Sequence, residues 1–356
     1  PINWTTQQID AILSYTGEDL QLSGGYYGAW FQNSNPALNI INGAGGNPPA
    51  VTSLSPMALP PGNQSNQANL SGGYNFSPTT RGNFKAAYTR QLQSQAFIIP
   101  SATGASNLQG RVDTYLGQAG LTSQLTNKLS MLADVRYENR DDKTPILQYC
   151  NAATLAGLAN TTFDCTNEPR SVRTYDSKLQ ASYVLPMGFR FTGGGEYIVK
   201  DRNEFDIRSV SFRDKTYETI YLAELRRALS ETVTGAVSYT YSNRWGSPFL
   251  TNTLFHPTAS NIGSNNIEPT YLSNRDTNTV KVTTNWTPTE KLSFQAFGSG
   301  GWADYNSRNN RNLGLQSGLI QNYSADATYA FTEKWQANAW YSRNDNRVKQ
   351  VTCVTA

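Results

Sequence analysis

The sequence predicts an all-β, antiparallel up-and-down transmembrane β-barrel of the outer-membrane type. About fourteen strands fall in this chain. Three observations predict it: strands with a period of two that outrun an ordinary soluble sheet, short turns alternating with long loops, and aromatic residues beside the short turns. The stretch KLSFQAFGSGGWADY shows the first. Leu292, Phe294, Ala296, Gly298, Gly300 and Trp302 share one face, and Ser293, Gln295, Ser299 and Asp304 fall between them. Phe297 breaks the pattern by pointing to the polar side, where a filled interior accommodates it better than open water.

The same alternation recurs. Leu129, Met131, Ala133, Val135 and Tyr137 oppose Ser130, Asp134, Arg136, Glu138 and Arg140; Val233, Gly235, Val237, Tyr239 and Tyr241 oppose Thr234, Ala236, Ser238, Thr240 and Ser242. Leu179, Ala181, Tyr183 and Leu185 oppose Gln180 and Ser182. Such strands exceed the 9 to 11 residues or so that a tilted membrane strand needs. The apolar face would meet lipid and the polar face a wet interior.

Seven short turns join the strands into hairpins: TGED near Thr16, SPTT near Ser77, LTNK near Leu125, LPMG near Leu185, ALSE near Ala228, TPTE near Thr287 and FTEK near Phe331. Between hairpins run longer segments rich in Asn, Pro, Gly, Ser and Thr, with little strand pattern: Asn33 to Gly62, Asp141 to Arg170 and Trp245 to Asn274. Short periplasmic turns on one rim and long extracellular loops on the other are the habit of outer-membrane barrels. Tyr15, Phe76, Tyr183, Phe189, Trp286, Phe331 and Trp335 stand next to the short turns, where amphipathic rings suit the headgroup level. Lipid cannot satisfy a sheet edge, so strands that meet it must close. The start, PINWTTQQID, lacks Met and a secretory signal, so either a signal has been removed or this is an internal fragment. The end, NRVKQVTCVTA, falls in a long-loop region just after a hairpin, and one barrel domain over 1–356, truncated at both ends and part of a larger barrel, is expected.

Composition agrees. The 356 residues include Tyr 20, Phe 14, Trp 7 and Gly 28, with 15% charged, a mixture that supports long helices poorly. A formal charge of +3 without a basic stripe argues against nucleic acid. No run of about 18 apolar residues marks a transmembrane helix. Cys150 and Cys165 flank a loop-like insert; in an oxidising compartment they close it as a disulfide, and otherwise they are two loop thiols. Cys353 is then left for a partner elsewhere.

Four blocks in order, LPPGNQSNQANLSGGYNFSPTTRGNFKAAYTR, GRVDTYLGQAGLTSQLTNKLSMLADVRYENRDDKTPI, KLQASYVLPMGFRFTGGGEY and VSYTYSNRWGS, span Leu59 to about Gly246. Together they resemble the MtrB/PioB family of decahaem-associated outer-membrane proteins. The resemblance implies an outer-membrane sheath for a periplasmic multihaem, decahaem c-type cytochrome, with a possible extracellular multihaem cytochrome beyond it, for electron transfer across the membrane. Members are longer, and some carry a C-x-x-C near the N-terminus that this sequence lacks.

No cofactor is expected on this chain. It has one histidine and no C-x-x-C-H, so haem would reside on the partner cytochrome. The hydrocarbon layer, about 30 Å thick, is too wide for one efficient tunnelling step and requires closely spaced centres. The alternative reading is a general diffusion porin; a soluble or surface adhesive β-protein is a third.

No enzymatic activity is predicted. His256, in FLTNTLFHPTAS, has no nucleophile or orienting partner marked in the sequence, and a solvated loop histidine is the plainer reading. The glycines Gly193, Gly194 and Gly195 lack the context of a phosphate loop and instead relieve crowding, bend a strand or admit a partner backbone. Candidate lumen-facing contacts for a partner or an ion are Lys85, Asp113, Asp134, Arg136, Glu138, Glu196, Lys200, Glu224, Arg226, Lys281 and Asp326. Cross-strand ion pairs that merely stabilise a polar interior are the competing reading of the same side chains.

Overall fold

A computed structural model describes residues 3–44, 50–98, 104–147, 166–203, 212–249, 269–305 and 314–351. Cys150, Cys165, His256 and Cys353 lie outside the described residues, and with them the disulfide and the loop histidine.

The strands are β1 (Trp4–Thr16), β2 (Leu20–Asn33), β3 (Ala37–Ala44), β4 (Ala50–Ala58), β5 (Asn63–Ser77), β6 (Thr80–Gln93), β7 (Gly110–Gln124) and β8 (Leu129–Asp142). They continue with β9 (Val172–Val184), β10 (Phe189–Arg202), β11 (Lys215–Ala228), β12 (Val233–Gly246), β13 (Arg275–Thr289), β14 (Leu292–Asp304), β15 (Gly314–Thr332) and β16 (Trp335–Val351). Fourteen of them form one sheet in chain order, β1-β2-β5-β6 and onward to β16, so every neighbour is a sequence neighbour apart from the β3–β4 detour. Up-and-down order needs no crossover connection.

All seven expected turns are present, and their chemistry is local. The hydroxyls of Ser77, Thr126, Ser230, Thr289 and Thr332 each accept the backbone N–H of the residue two positions on, at 3.2–3.3 Å. A side chain that mimics a backbone turn in this way fixes where the strand reverses. At the LPMG turn, Met187 and Gly188 take φ of 61° and 76°, a left-handed pair that reverses the chain before Phe189.

The segment Asn33 to Gly62 departs from expectation. It is not a structureless loop but carries the β3–β4 hairpin as a separate two-stranded sheet. Ile40, Ile41 and Val51 are strong strand formers, and the surrounding Asn, Gly and Pro masked them in a composition reading. The other two long segments do separate strands, since β8 ends at Asp142 and β9 starts at Val172, and β12 ends at Gly246 and β13 starts at Arg275.

Contacts divide the chain into two compact units, Pro1–Tyr74 with Asn83–Gln118 and Tyr137–Arg173, and Asn75–Gly82 with Ala119–Arg136 and Thr174–Ala356. In the second, register fixes two kinds of row across the strands. One is apolar: Phe191 opposes Leu225, then Val237, Val282, Gly298 and Tyr323. The adjacent row is polar: Thr192 opposes Glu224, then Ser238, Lys281, Ser299, Asn322 and Asn344. Because side chains alternate with a period of two, these rows lie on opposite faces.

Among the three glycines of FTGGGEY, Gly194 is the crowded one. A Cβ there would meet the Gln180 side chain at 2.5 Å and the Leu179 carbonyl oxygen at 2.8 Å, whereas at Gly195 the nearest atom is 3.7 Å away. The missing side chain admits the neighbouring strand.

Candidate functional site: the polar face of the sheet

The polar row brings ionisable groups from five strands of the second unit onto one face. Asp134 and Arg136 lie on β8, Glu196 and Lys200 on β10, Glu224 and Arg226 on β11, Lys281 on β13 and Asp326 on β15. Asp176, on β9, is within electrostatic range of Asp134, Arg136, Lys178 and Lys200. Glu196 in turn feels Asp176, Lys178 and Glu218. A band of mixed sign therefore runs across β8 to β11.

Other members pair more simply. Glu224 and Arg226 approach to 3.4 Å. Asp326 stands opposite Gln295 and Trp340 and accepts from the Asn338 amide at 3.3 Å. Lys281 lies 5.2 Å from the centre of the Phe297 ring, and Phe297 opposes Thr283 and Ser324, so this aromatic of the polar face carries a cation on its ring.

Three members of this band were not singled out in the sequence. Asp176 and Lys178 continue the polar alternation of Gln180 and Ser182 one turn of the pleat further, a signal that extending the pattern upstream would have found. Glu218 has no such signal. It receives a hydrogen bond from Arg275 Nη2 at 2.9 Å and another from the Ser242 hydroxyl, and both partners arrive from other strands.

In the first unit, Lys85 sits on β6 at a position alternate to Phe84 and Tyr88, and Glu138 on β8 alternate to Tyr137. Asp113 is a correction. On β7 it shares parity with Arg111 and Tyr115, and its carboxylate meets Tyr88 and Arg90 of β6, so it belongs to the aromatic face and not to the face of Lys85. Period two decides this, because residues i and i+2 of a strand share a side.

The seven turn-proximal aromatics also have definite places. Tyr15, Phe76, Tyr183, Trp286, Phe331 and Trp335 are exposed. Trp286 stacks on Phe294 at 5.3 Å, Phe331 meets Tyr329 edge-on at 4.8 Å, and Phe189 lies under the Arg227 guanidinium at 4.5 Å. Among the described residues, no group of three or more His, Cys, Asp or Glu is placed to hold a metal ion.

The comparisons with known proteins decide the family. The model described as "Putative outer membrane beta-barrel porin, MtrB/PioB" matches residues 1–356. The chain belongs to the MtrB/PioB family. Outer membrane protein MtrB of Shewanella baltica (strain OS185) is 26% identical over 350 residues, which is 96% of this chain and 47% of that protein. The chain thus spans about half the length of its curated relative. Among solved structures, the FrpB iron transporter from Neisseria meningitidis aligns with a TM-score of 0.62 at 14% identity, over 98% of this chain and 54% of that one. The ferric preacinetobactin receptor BauA from Acinetobacter baumannii gives 0.60 at 12%, over 98% and 55%. At such identities these likenesses concern the fold, an outer-membrane β-barrel.

This MtrB/PioB chain is therefore an outer-membrane barrel protein. In an outer-membrane barrel, apolar rows of this kind meet lipid and polar rows line the interior.

On the long-loop side, outside the strands, the Asp214 carboxylate is held below the usual carboxylate range, first by the Ser247 hydroxyl and also by the Lys215 N–H at 2.8 Å. A depressed folded value means that this carboxylate contributes stability above the unfolded pKa of about 3.9 and loses it as pH falls through the folded value. Ser247→Ala is expected to lower the urea midpoint at pH 6, and the gap from wild type is expected to shrink at pH 2.5. A gap that stays constant with pH would show that the hydroxyl does not act through Asp214.

Proposed function

We propose that the complete protein is a single outer-membrane barrel that sheathes a periplasmic multihaem c-type cytochrome and holds it for electron transfer across the membrane. Membership of the MtrB/PioB family carries this reading. The polar face supports it in two ways. Its charges alternate in sign over short distances, which suits docking a folded partner better than concentrating one kind of ion. Phe297, inward and under Lys281, offers an amphipathic contact that a filled bore would cover. With one histidine and no C-x-x-C-H, the chain leaves the redox centres to the cytochrome, and the barrel supplies wall and position.

The test is purification of the full-length protein from haem-replete cells in mild detergent. A covalent-haem cytochrome is expected to co-purify in near-stoichiometric amount, and a barrel free of haem absorbance would overturn the proposal. A diffusion porin is the second reading, favoured by the hydroxyl and amide side chains of the polar row. Conductance separates the two: the native complex in a planar bilayer is expected to be nearly closed, and a large steady conductance would favour the porin.

A further inference from the structure

The lipid-facing side of the first unit carries a charge cluster that the interior does not explain. Asp113 Oδ1 accepts from Arg90 Nε at 2.9 Å and from the Tyr88 hydroxyl at 3.0 Å. Its Oδ2 accepts from Arg111 Nη2 at 2.7 Å, Arg111 Nε at 3.1 Å and Lys143 Nζ at 3.1 Å. The carboxylate is wholly buried by these partners, while the side chains of Arg90, Arg111 and Lys143 remain 42%, 40% and 40% exposed. Lys143 also reaches Asp141 at 3.3 Å, and the two carboxylates raise its pKa and keep it cationic.

The cluster faces outward. Tyr88 and Tyr115, which flank it one pleat nearer the membrane centre, have ring centres 5.0 Å apart, and Tyr115 is exposed. Arg173 on β9 shares the face of the exposed Tyr175. Among the described residues, three contacting cations, Arg90, Arg111 and Lys143, thus accompany two carboxylates, Asp113 and Asp141. Glu168 and Arg170 pair with each other nearby at 2.9 Å and leave the balance unchanged.

Depth places the cluster at a particular level. Asp113 lies eleven positions from Gln124, where β7 ends at a short turn. At about 3.3 Å per residue and a tilt near 40°, that is a rise of about 28 Å, just past the apolar band of about 25 Å. The Tyr88 and Tyr115 rings then mark the outer girdle, and the cations stand at the headgroups of the outer leaflet.

The donor count shows what is left over. An arginine has five N–H donors and a lysine three. Asp113 takes the Nε donor of Arg90 and one donor from each of two nitrogens of Arg111, which among the described residues leaves both Nη groups of Arg90 and the Nη1 group of Arg111 uncommitted. Guanidinium forks of this kind match phosphate oxygens in pairs.

We propose that Arg90, Arg111 and Lys143, oriented by the buried Asp113, form a site for the phosphate of a phosphorylated saccharolipid headgroup in the outer leaflet. Asp113 is a positioning residue: it draws three cations into one small area, and the lipid phosphate relieves their mutual repulsion. The site is independent of what occupies the bore.

The experiment uses the full-length barrel in lipid nanodiscs with bis-phosphorylated lipid A, with lipid A stripped of its phosphates, or with inorganic phosphate alone, and reads bound lipid by native mass spectrometry after detergent exchange. Wild type is expected to retain bis-phosphorylated lipid A about tenfold better than the Arg90→Gln/Arg111→Gln/Lys143→Gln variant, and to lose the preference with the stripped lipid. Equal retention by wild type and variant, or equal retention of both lipids, would overturn the site. Displacement of the lipid by millimolar inorganic phosphate would overturn it too, since that marks a free-anion site. Heat-modified migration reports folding. Should the triple variant fail it, Lys143→Gln, at a residue beyond the end of β8, decides alone, with about threefold weaker retention expected and unchanged retention counting against the site.

Discussion

Val237→Arg is expected to destabilise the refolded barrel by about 2–4 kcal/mol, while Thr240→Arg on the same strand changes stability by less than about 1 kcal/mol. Val237 stands between Leu225 and Val282 in the apolar row. It lies four positions above the start of β12, so a rise of about 10 Å puts it near the middle of the apolar band. A guanidinium there must either enter hydrocarbon or drag water and headgroups inward. Thr240 stands between Leu222 and Thr279 on the interior side, where a long cation finds water or an acidic neighbour. Urea unfolding in lipid vesicles measures both variants. Equal losses, or a larger loss at Thr240, would reverse the assignment of faces on which the interior and the lipid site both depend.

The turns were the most legible part of the fold, for a physical reason. A hydroxyl that caps a backbone N–H two residues on is encoded within four residues, so SPTT, LTNK, ALSE, TPTE and FTEK declare themselves locally. The faces follow from period two wherever the alternation is read along a whole strand, as in β8 and β12, whether its polar positions are charged or not. Asp113 is the exception: taken as a lumen-facing candidate for its charge, it shares the parity of Arg111 and Tyr115. Charge forces a side chain inward only within the hydrocarbon. A strand of fifteen residues extends past it, and there a carboxylate surrounded by cations is stable on the outer side. The β3–β4 hairpin was hidden by composition, as its strand formers are diluted by Asn, Gly and Pro. The Glu218 cluster was invisible for a different reason. Its members lie up to 57 positions apart in sequence, and only register brings them together.

That register makes the second large effect calculable in kind. Arg244 of β12 and Arg275 of β13 stand directly opposite one another, a like-charged pair that would repel in any sheet. Glu218 resolves the conflict: it is the register partner of Arg244 and binds Arg275 at 2.9 Å, with Ser242 donating to the same carboxylate oxygen. Arg244 is meanwhile tied to the turn that precedes β13, donating to the carbonyl oxygens of Ser273, at 3.0 Å, and Thr270. Removing one partner from a buried pair costs about 3–5 kcal/mol, mostly because the remaining charge is stranded. Glu218 and Arg275 are 19% and 28% exposed, and water screens part of that. Glu218→Ala is therefore expected to cost about 2–3 kcal/mol in urea unfolding. The decisive measurement is the double variant Glu218→Ala/Arg275→Ala, which removes the stranded cation together with its opponent. It is expected to be more stable than Glu218→Ala alone. If instead the two losses simply add, the carboxylate does not hold the opposed arginines together, and the long-loop end of β11 to β13 owes its order to the backbone ladder.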